Sequence, residues 1–233
     1  MPPQVFAHRG HCAEAPENTL SSFRAAERLN ADGIELDVHL TRDGHPVVLH
    51  DTKVDRTTNG TGPVAGLTLT ELQVLDAGTG ERVPTLGETF QNLGKTLRIN
   101  IELKGADKAT IVAAVVAEIL EYNMLDRAYI ATDEATWLQA HALEPRLTGC
   151  YLGPHPRNTK AFLEKTQALA CRIVQLDWRI VDGHFVDMAH CLNIEVHAMD
   201  LKTNHEDRIY DTIFATDIDA VLTDYPQSWL CGK

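Results

Sequence analysis

Eight short segments rich in apolar residues are spread along the chain, and turn residues or stretches with helical spacing separate them. The predicted strands cover residues 4–8, 33–38, 98–104, 128–132, 147–152, 172–177, 194–199 and 219–223. The predicted helices cover residues 85–93, 108–121, 134–143, 158–170, 183–192 and 204–214, after a first one that Asn18 or Thr19 can cap. Such β/α alternation is typical of parallel strands joined by crossover helices.

Eight strands in strict alternation with helices favour a closed (β/α)8 TIM barrel, and 233 residues is a common length for that α/β fold. A doubly wound open sheet is the alternative, but it usually has fewer strands at this length. Residues 52–84 are less regular, and we interpret them as a small elaborated loop after the second strand. We therefore expect one barrel domain over residues 1–233, with 52–84 as a loop insertion.

The second predicted strand carries acids where a buried strand normally has none. In GIELDV, apolar residues alternate with Glu35 and Asp37, so one face of the strand is apolar and the other is acidic. After a turn at 42–45, the run Val47–Leu49 returns toward this strand and is followed by His50 and Asp51. Two neighbouring acids resist desolvation unless a positive charge compensates them. A divalent cation and a solvated edge strand are equally good explanations until a third acid is found.

The strand at 97–104, LRINIELK, supplies that acid as Glu102. In barrels of this class, reactive residues lie at the carboxyl ends of the strands. We therefore expect Glu35, Asp37 and Glu102 to meet there. Three carboxylates favour a hard cation, Mg²⁺ or Ca²⁺ with Mn²⁺ as a further candidate, whereas ligation by His8 or His50 would favour a softer metal.

Basic residues and histidines lie at the ends of neighbouring strands. Arg9 offers a planar fork for phosphate oxygens, and Lys104 adds a point charge. His8 and His50 could divide the proton transfers at a phosphodiester, one accepting a proton from the attacking oxygen and the other protonating the leaving alkoxide.

Composition limits the partners that we expect. The net charge is −12 and the pI is about 5.3, which disfavours nucleic acid and stable attachment to anionic membranes. A small phosphorylated substrate remains compatible, since a few basic residues can reverse the charge inside one cleft. No run reaches about 18 uninterrupted apolar residues, and the five cysteines are scattered without a Cys-x-x-Cys spacing. We expect a cytoplasmic protein.

Several motifs in a fixed order carry a family resemblance. They are AHRG (7–10), APENT (15–19), IELDV (34–38), TRDG (41–44), VVLHD (47–51), DRTTNGTG (55–62), VPTL (83–86), IELK (101–104) and LTDYP (222–226). No single piece is specific, but the ordered set resembles the glycerophosphodiester phosphodiesterase family from residue 7 to 226.

The resemblance implies a barrel that hydrolyses glycerophosphodiesters, such as glycerophosphocholine or glycerophosphoethanolamine, to glycerol 3-phosphate and an alcohol. The implied site comprises cation ligands Glu35, Asp37 and Glu102, the acid–base pair His8 and His50, phosphate-binding Arg9 and Lys104, and bordering Glu17 and Asn18. A lysophospholipase D is an alternative that needs an apolar groove. A silent barrel that only binds a phosphorylated ligand is another, and the intact acids and histidines argue against it.

One position departs from the family pattern. Where the family has a Trp-Thr-Val-Asn-like end to its seventh strand, this chain reads HAMD at 197–200. His197 is therefore a candidate substrate contact that changes substrate preference, or a histidine without a catalytic role. We expect Asp224 to orient the last loop and not to bind metal, and we expect His39 to be solvated or in a loop.

Overall fold

The computed structural model describes residues 2–94, 96–105, 108–154, 158–201, 213 and 215–230. The strands are β1 (Gln4–His8), β2 (Gly33–Leu40), β3 (Pro46–Val48), β4 (Arg98–Leu103), β5 (Ala128–Thr132), β6 (Thr148–Tyr151), β7 (Ile173–Asp177), β8 (Glu195–Leu201) and β9 (Ala220–Thr223). The helices are α1 (Leu20–Arg28), α2 (Leu69–Gln73), α3 (Leu86–Asn92), α4 (Lys108–Glu121), α5 (Glu134–Leu143), α6 (Thr159–Ala168), α7 (Gly183–Cys191) and α8 (Pro226–Leu230).

Eight of these strands close into a parallel barrel. The order around it is β1-β2-β4-β5-β6-β7-β8-β9, and β9 pairs with β1 to complete the ring. Closure removes both sheet edges, so every barrel strand has two neighbours. The predicted (β/α)8 barrel is confirmed, and the predicted strand bounds agree with the observed ones to within about two residues.

The remaining strand, β3, lies outside the ring. It pairs antiparallel with β2 through Val38 and Val48, and through Leu40 and Pro46. The hairpin lengthens β2 by two residues beyond its predicted end at residue 38. The turn at 42–45 thus returns the chain to the mouth of the barrel, as the sequence predicts. The helix predicted at 204–214 lies outside the described residues except for position 213.

Helix starts follow the local sequence. The side chains of Thr19, Thr68 and Thr85 each accept a hydrogen bond from the backbone amide of the third residue of the following helix. The backbone amide of each threonine in turn donates to the side chain of that third residue. Capping of this kind satisfies amide groups that a helix start leaves unpaired. Because Thr19 is the cap of α1, the neighbouring Asn18 side chain is available for another contact.

Apolar side chains pack on both sides of the barrel wall. The larger group lies between strands and helices, with members such as Ile34, Leu36 and Trp137. The smaller one fills the barrel interior with residues such as Phe6, Tyr129 and Ile173. Alternation along each strand sends one set of side chains outward and the other inward. The acids of β2 belong to the inward set.

The segment 52–84 has a small core of its own. Val54, Val64, Leu72 and Val83 pack with residues of and beside β3. The segment is therefore anchored beside the barrel mouth. Within the described ranges, none of the helices combines the length and apolar character needed to cross a bilayer.

Candidate active site

Strand register brings the predicted acids together. Glu35 of β2 is level with His8 of β1, and Asp37 of β2 is level with Glu102 of β4. One carboxylate oxygen from each of the three acids lies within 4.8 Å of the others. Glu35 and Asp37 are each only 1% exposed. The acids therefore form one compact cluster at the carboxyl ends of adjacent strands.

Burial and mutual repulsion raise the pKa of the Glu35 carboxyl to about 8, although His8 opposes the rise. The raised pKa means that the cluster has too little positive charge to keep every acid ionised near neutral pH. The donor set consists only of oxygen atoms. It therefore fits a hard divalent cation, which would supply the missing charge.

Two basic side chains partly neutralise the cluster. Lys104 Nζ lies 2.5 Å from Glu102 Oε1 and 3.1 Å from Asp37 Oδ1. Arg9 Nε lies 3.4 Å from Asp37 Oδ2, and Arg9 Nη1 donates to Glu17 Oε1 at 3.0 Å. Burial lowers the pKa of Lys104, but the charges of Asp37 and Glu102 outweigh it, so the net pKa is raised. Both side chains stay cationic beside the cluster, where an anion could bind.

The loop after β1 needs an unusual backbone. Arg9 and Asn18 have φ of 55° and 57°, in the left-handed region that costs a non-glycine residue free energy. Two hydrogen bonds hold this geometry, from the Arg9 amide to Glu35 Oε2 at 3.1 Å and from the Asn18 amide to the Arg9 carbonyl at 3.0 Å. Gly10 is required next, because a Cβ there would lie 2.4 Å from Ser22 Oγ.

Asn18 lies inside this arrangement. Its Nδ2 donates to Asp37 Oδ2 at 2.9 Å, and the residue is 4% exposed. Asn18 thus braces one of the three acids, while Glu17 beside it braces Arg9.

Each predicted catalytic histidine has a carboxylate partner. His8 Nδ1 donates to Asp224 Oδ1 at 2.5 Å, while its Nε2 lies 3.8 Å from Glu35 Oε2. Burial lowers the pKa of His8, but Asp224 and Glu35 together raise it above its ordinary value. His50 Nδ1 donates to Asp51 Oδ1 at 2.7 Å. In both residues the partner fixes the ring orientation and leaves Nε2 for another contact.

A single cavity of about 180 Å³ connects these groups. Its lining includes His8, Arg9, Glu35, Asp37, His50, Glu102, Lys104 and Asp224, with Gln175, Met199, Leu201 and Leu222 completing the wall. Two histidines, four acids and two cationic side chains thus face one space. A small phosphorylated molecule would meet all three kinds of group.

Comparison with known protein families matches residues 8–228 to the glycerophosphoryl diester phosphodiesterase family. The chain belongs to this family. Among its curated relatives, the glycerophosphodiester phosphodiesterase of Caldanaerobacter subterraneus subsp. tengcongensis is 48% identical over 138 residues, which cover 55% of this chain and 57% of that protein. Human glycerophosphodiester phosphodiesterase 1 is 43% identical over 117 residues, which cover 46% of this chain and 35% of that protein. The matches thus span about half of this chain and from 35% to 57% of these two relatives.

Solved structures are similar over nearly the whole chain. A phosphodiesterase from Oleispira antarctica, in complex with the product sn-glycerol-3-phosphate, has a TM-score of 0.87 at 30% identity and covers 97% of this chain and 95% of that one. A putative glycerophosphoryl diester phosphodiesterase from Silicibacter pomeroyi has a TM-score of 0.88 at 25% identity, with 97% and 91% covered.

Three predicted site residues do not line this cavity: Glu17, Asn18 and His197. Glu17 and Asn18 contact residues that line it, whereas His197 lies apart from it. His197 is 0% exposed, and its ring contacts the Tyr129 hydroxyl at 3.2 Å and Glu195 Oε2 at 3.3 Å. Burial lowers its pKa, so the ring is held neutral in the barrel interior. Met199, two residues along β8, lines the cavity instead. The residue at position 197 therefore lies below the cavity floor among the barrel side chains.

Sequence reasoning missed three contacts at the site. Asp224 pairs with His8, and nothing local in LTDYP indicates this because the two residues are 216 positions apart. His39 is buried on β2 and donates from Nε2 to the His50 carbonyl at 3.1 Å, so the expectation that it is solvated or in a loop is wrong. The period-two pattern could have found it, since His39 continues the inward series of Glu35 and Asp37. The third contact, between Asp51 and His50, joins two consecutive residues that the sequence already places together after the run Val47–Leu49.

Proposed function

We propose that this chain is a divalent-cation-dependent phosphodiesterase that hydrolyses glycerophosphodiesters, such as glycerophosphocholine or glycerophosphoethanolamine, to glycerol 3-phosphate and an alcohol. The observation that carries the proposal is one cavity lined by two carboxylate-held histidines, a three-acid cluster, Arg9 and Lys104. Family membership and the similarity to a phosphodiesterase bound to sn-glycerol-3-phosphate support the same chemistry. The proposal includes a single barrel domain with 52–84 as an insertion and a cytoplasmic location.

The cation would be held by Glu35, Asp37 and Glu102, and Mg²⁺ or Ca²⁺ fits this oxygen set best, with Mn²⁺ also compatible. When bound, a divalent cation stabilises negative charge that develops on phosphoryl oxygens. Burial first, and then the neighbouring carboxylates, raise the pKa of Glu35, and a cation held by the three acids would offset both effects.

Arg9 and Lys104 would hold the phosphate. A lysine ammonium has three donors, and Lys104 uses two of them on Asp37 and Glu102. The third can point to an anion in the cavity. Arg9 is oriented by Glu17, so its planar group is preorganised for phosphate oxygens.

His8 and His50 would exchange protons with the substrate. One accepts the proton of the attacking oxygen, and the other donates a proton to the departing alkoxide. Each transfer contributes about 10²- to 10⁴-fold in rate. Asp224 and Asp51 keep the two rings oriented, so neither histidine has to be reordered during the reaction.

A second pocket keeps the lysophospholipase D alternative in the test. A volume of about 290 Å³ adjoins the cavity and shares Glu102, Gln175 and Met199 with it. Its other lining residues are mostly apolar and include Leu152, Leu176 and Ile180. An apolar substituent could lie there. Lysophosphatidylcholine therefore belongs beside glycerophosphocholine in the substrate panel.

The deciding experiment measures glycerol 3-phosphate release from glycerophosphocholine by EDTA-stripped protein, with Mg²⁺, Ca²⁺ or Mn²⁺ restored one at a time. We expect turnover to return with at least one cation. Glu102→Gln should require much more cation, whereas Glu164→Gln on an exposed face of α6 should behave as wild type. Turnover of lysophosphatidylcholine alone would favour the alternative activity, and no turnover of either substrate with any cation would leave a silent phosphate-binding barrel.

A further inference from the structure

Arg56 reaches from the 52–84 insertion to two carboxylates of the site. Its Nε and Nη2 donate to Asp51 Oδ2 and Oδ1 at 2.8 and 2.9 Å. Its Nη1 and Nη2 donate to Glu17 Oε2 and Oε1, both at 2.8 Å. One guanidinium therefore holds both oxygens of each carboxylate, which is the strongest geometry that arginine offers.

Each of those carboxylates holds one residue of the proposed machinery. The Asp51 oxygen that Arg56 Nη2 contacts is also the one that accepts the His50 Nδ1 hydrogen bond at 2.7 Å. The Glu17 oxygen that Arg56 Nη2 contacts also accepts from Arg9 Nη1 at 3.0 Å. A continuous chain of contacts thus runs from His50 through Arg56 to Arg9.

Arg56 also keeps both carboxylates ionised. Its hydrogen bonds, followed by that of His50, hold the pKa of Asp51 well below its usual value. Burial raises the pKa of Glu17, but Arg56 and Arg9 outweigh it and the net pKa is lowered. An ionised carboxylate is the better acceptor for both His50 and Arg9.

The insertion holds Arg56 in place. The turn that carries it is closed by the Thr58 amide, which donates to the Val54 carbonyl at 3.0 Å. The Val54 side chain is fully buried in the small core of the insertion. The backbone beside Arg56 is therefore anchored although its side chain is 47% exposed.

Because the Arg56 side chain is about half exposed, its ion pairs add little stability, which favours a positioning role over a stabilising one. Ion pairs between solvent-exposed side chains contribute about 0–1 kcal/mol to stability. Ordering the Arg56 side chain to make four hydrogen bonds to two carboxylates costs free energy, which so small a gain in stability would hardly offset. Arg56 does not appear among the described residues that line the cavity, so it acts through its partners.

We propose that Arg56 is a positioning residue that couples His50 to Arg9 and so aligns the proton-transfer and phosphate-binding groups with each other. The inference rests on the proposed phosphodiesterase function. It assigns a role to the insertion, which orients two residues of the barrel mouth.

The test compares Arg56→Ala with Arg42→Ala. Arg42 is a matched control, because it is 56% exposed, contacts the same insertion through the Gly66 carbonyl and Glu71, and does not touch the site. Misplacement of reacting groups by about 1 Å can cost about 100-fold. We expect kcat/KM for glycerophosphocholine to fall about 10- to 100-fold in Arg56→Ala, mostly in kcat, and to stay within about two-fold in Arg42→Ala.

Three further readouts distinguish positioning from folding. Millimolar guanidinium should restore part of the kcat of Arg56→Ala without raising that of wild type or Arg42→Ala. The double variant of Arg56→Ala with Asp51→Asn should be no slower than the slower single variant, since both break the same chain. Arg56→Lys should recover little, because one ammonium cannot hold both carboxylates at two points.

Several outcomes would overturn the inference. They are an unchanged kcat in Arg56→Ala, a loss of activity that guanidinium does not restore, and multiplicative losses in the double variant. A wild-type protein inactive on every phosphodiester would refute the proposed function instead, before any variant is compared. The melting temperature of Arg56→Ala should drop by no more than about 2–4 °C, the change expected for about 1 kcal/mol in a chain of this size.

Discussion

Removal of the proposed divalent cation should make the protein less stable as the pH rises from about 5 to about 8. The group responsible is Glu35, which is 1% exposed and has a pKa raised to about 8 by burial and by Asp37. Below its ordinary pKa of 4.5, Glu35 is protonated in both folded and unfolded chains and has no effect. Above that value the unfolded chain loses the proton while the folded chain keeps it. The free energy of unfolding therefore falls with pH through this window.

The size of the effect follows from the same pKa. Each pKa unit corresponds to about 1.4 kcal/mol, so an acid moved from 4.5 to about 8 destabilises the fold by at most roughly 5 kcal/mol once it is ionised. In a chain of this length, 1 kcal/mol moves the melting temperature by about 2–4 °C. We expect the cation-free protein to lose on the order of 10 °C between pH 5 and 8. A bound cation compensates the ionised form, and its affinity rises with pH because its ligands must be deprotonated.

The assay is thermal unfolding at matched ionic strength, with EDTA or with Mg²⁺, at several pH values. The difference in melting temperature between the two conditions should widen as the pH rises, and Glu35→Gln should remove the widening. Glu118 provides the control, because burial raises its pKa to about 7 and it titrates in the same window on α4, outside the acidic cluster. Glu118→Gln should change the slope equally in EDTA and in Mg²⁺. A difference independent of pH, or one that Glu35→Gln leaves intact, would refute the reasoning.

Three further predictions concern single residues. His50→Ala should fold and bind cation, but its kcat should fall about 10²- to 10⁴-fold, the contribution of one proton transfer. His45→Ala, in the exposed turn, should keep the wild-type kcat, and comparable kcat values in the two variants would contradict the acid–base assignment. Asp224→Asn should lower the pKa of His8, because the substitution removes the hydrogen bond that contributes most to raising that pKa. NMR titration of the His8 ring measures the shift, and an unchanged titration would exclude the pairing of His8 with Asp224. Gly33→Ala should cost about 1–3 kcal/mol in urea unfolding, since the new Cβ would lie 2.4 Å from the Phe6 ring and 2.7 Å from the Arg98 carbonyl oxygen. A cost below about 0.5 kcal/mol would show that both neighbours give way easily.

The strands and the acidic cluster could be predicted because their signals are local. A side-chain period of two is set by backbone geometry, so GIELDV identifies both a strand and its acidic face. The carboxyl ends of all barrel strands lie at the same end of the barrel, so the sequence alone predicts that Glu102 lies near Asp37, as the strand register shows. Family motifs supplied the roles of Glu17 and Asn18, which no local pattern indicates.

The prediction for His197 shows the limit of such reasoning. Alternation correctly puts it on the inward face of β8, yet how far up the barrel an inward residue lies depends on register and strand stagger. The observed register makes Met199, and not His197, part of the cavity wall. Strand position alone therefore could not distinguish a cavity residue from an interior one.

The sequence by itself determined the β/α alternation, the inward face of each strand, the helix caps and the residue types that meet at the carboxyl ends. These depend on interactions within a few residues or on rules that hold for every parallel barrel. Only the tertiary structure decided which partner each reactive group has. Closure of β9 on β1 brings Asp224 to His8 across 216 positions, and folding of the insertion brings Arg56 to Glu17 across 39. Contacts of this kind depend on packing distances of a few ångströms, which no pattern along the chain encodes.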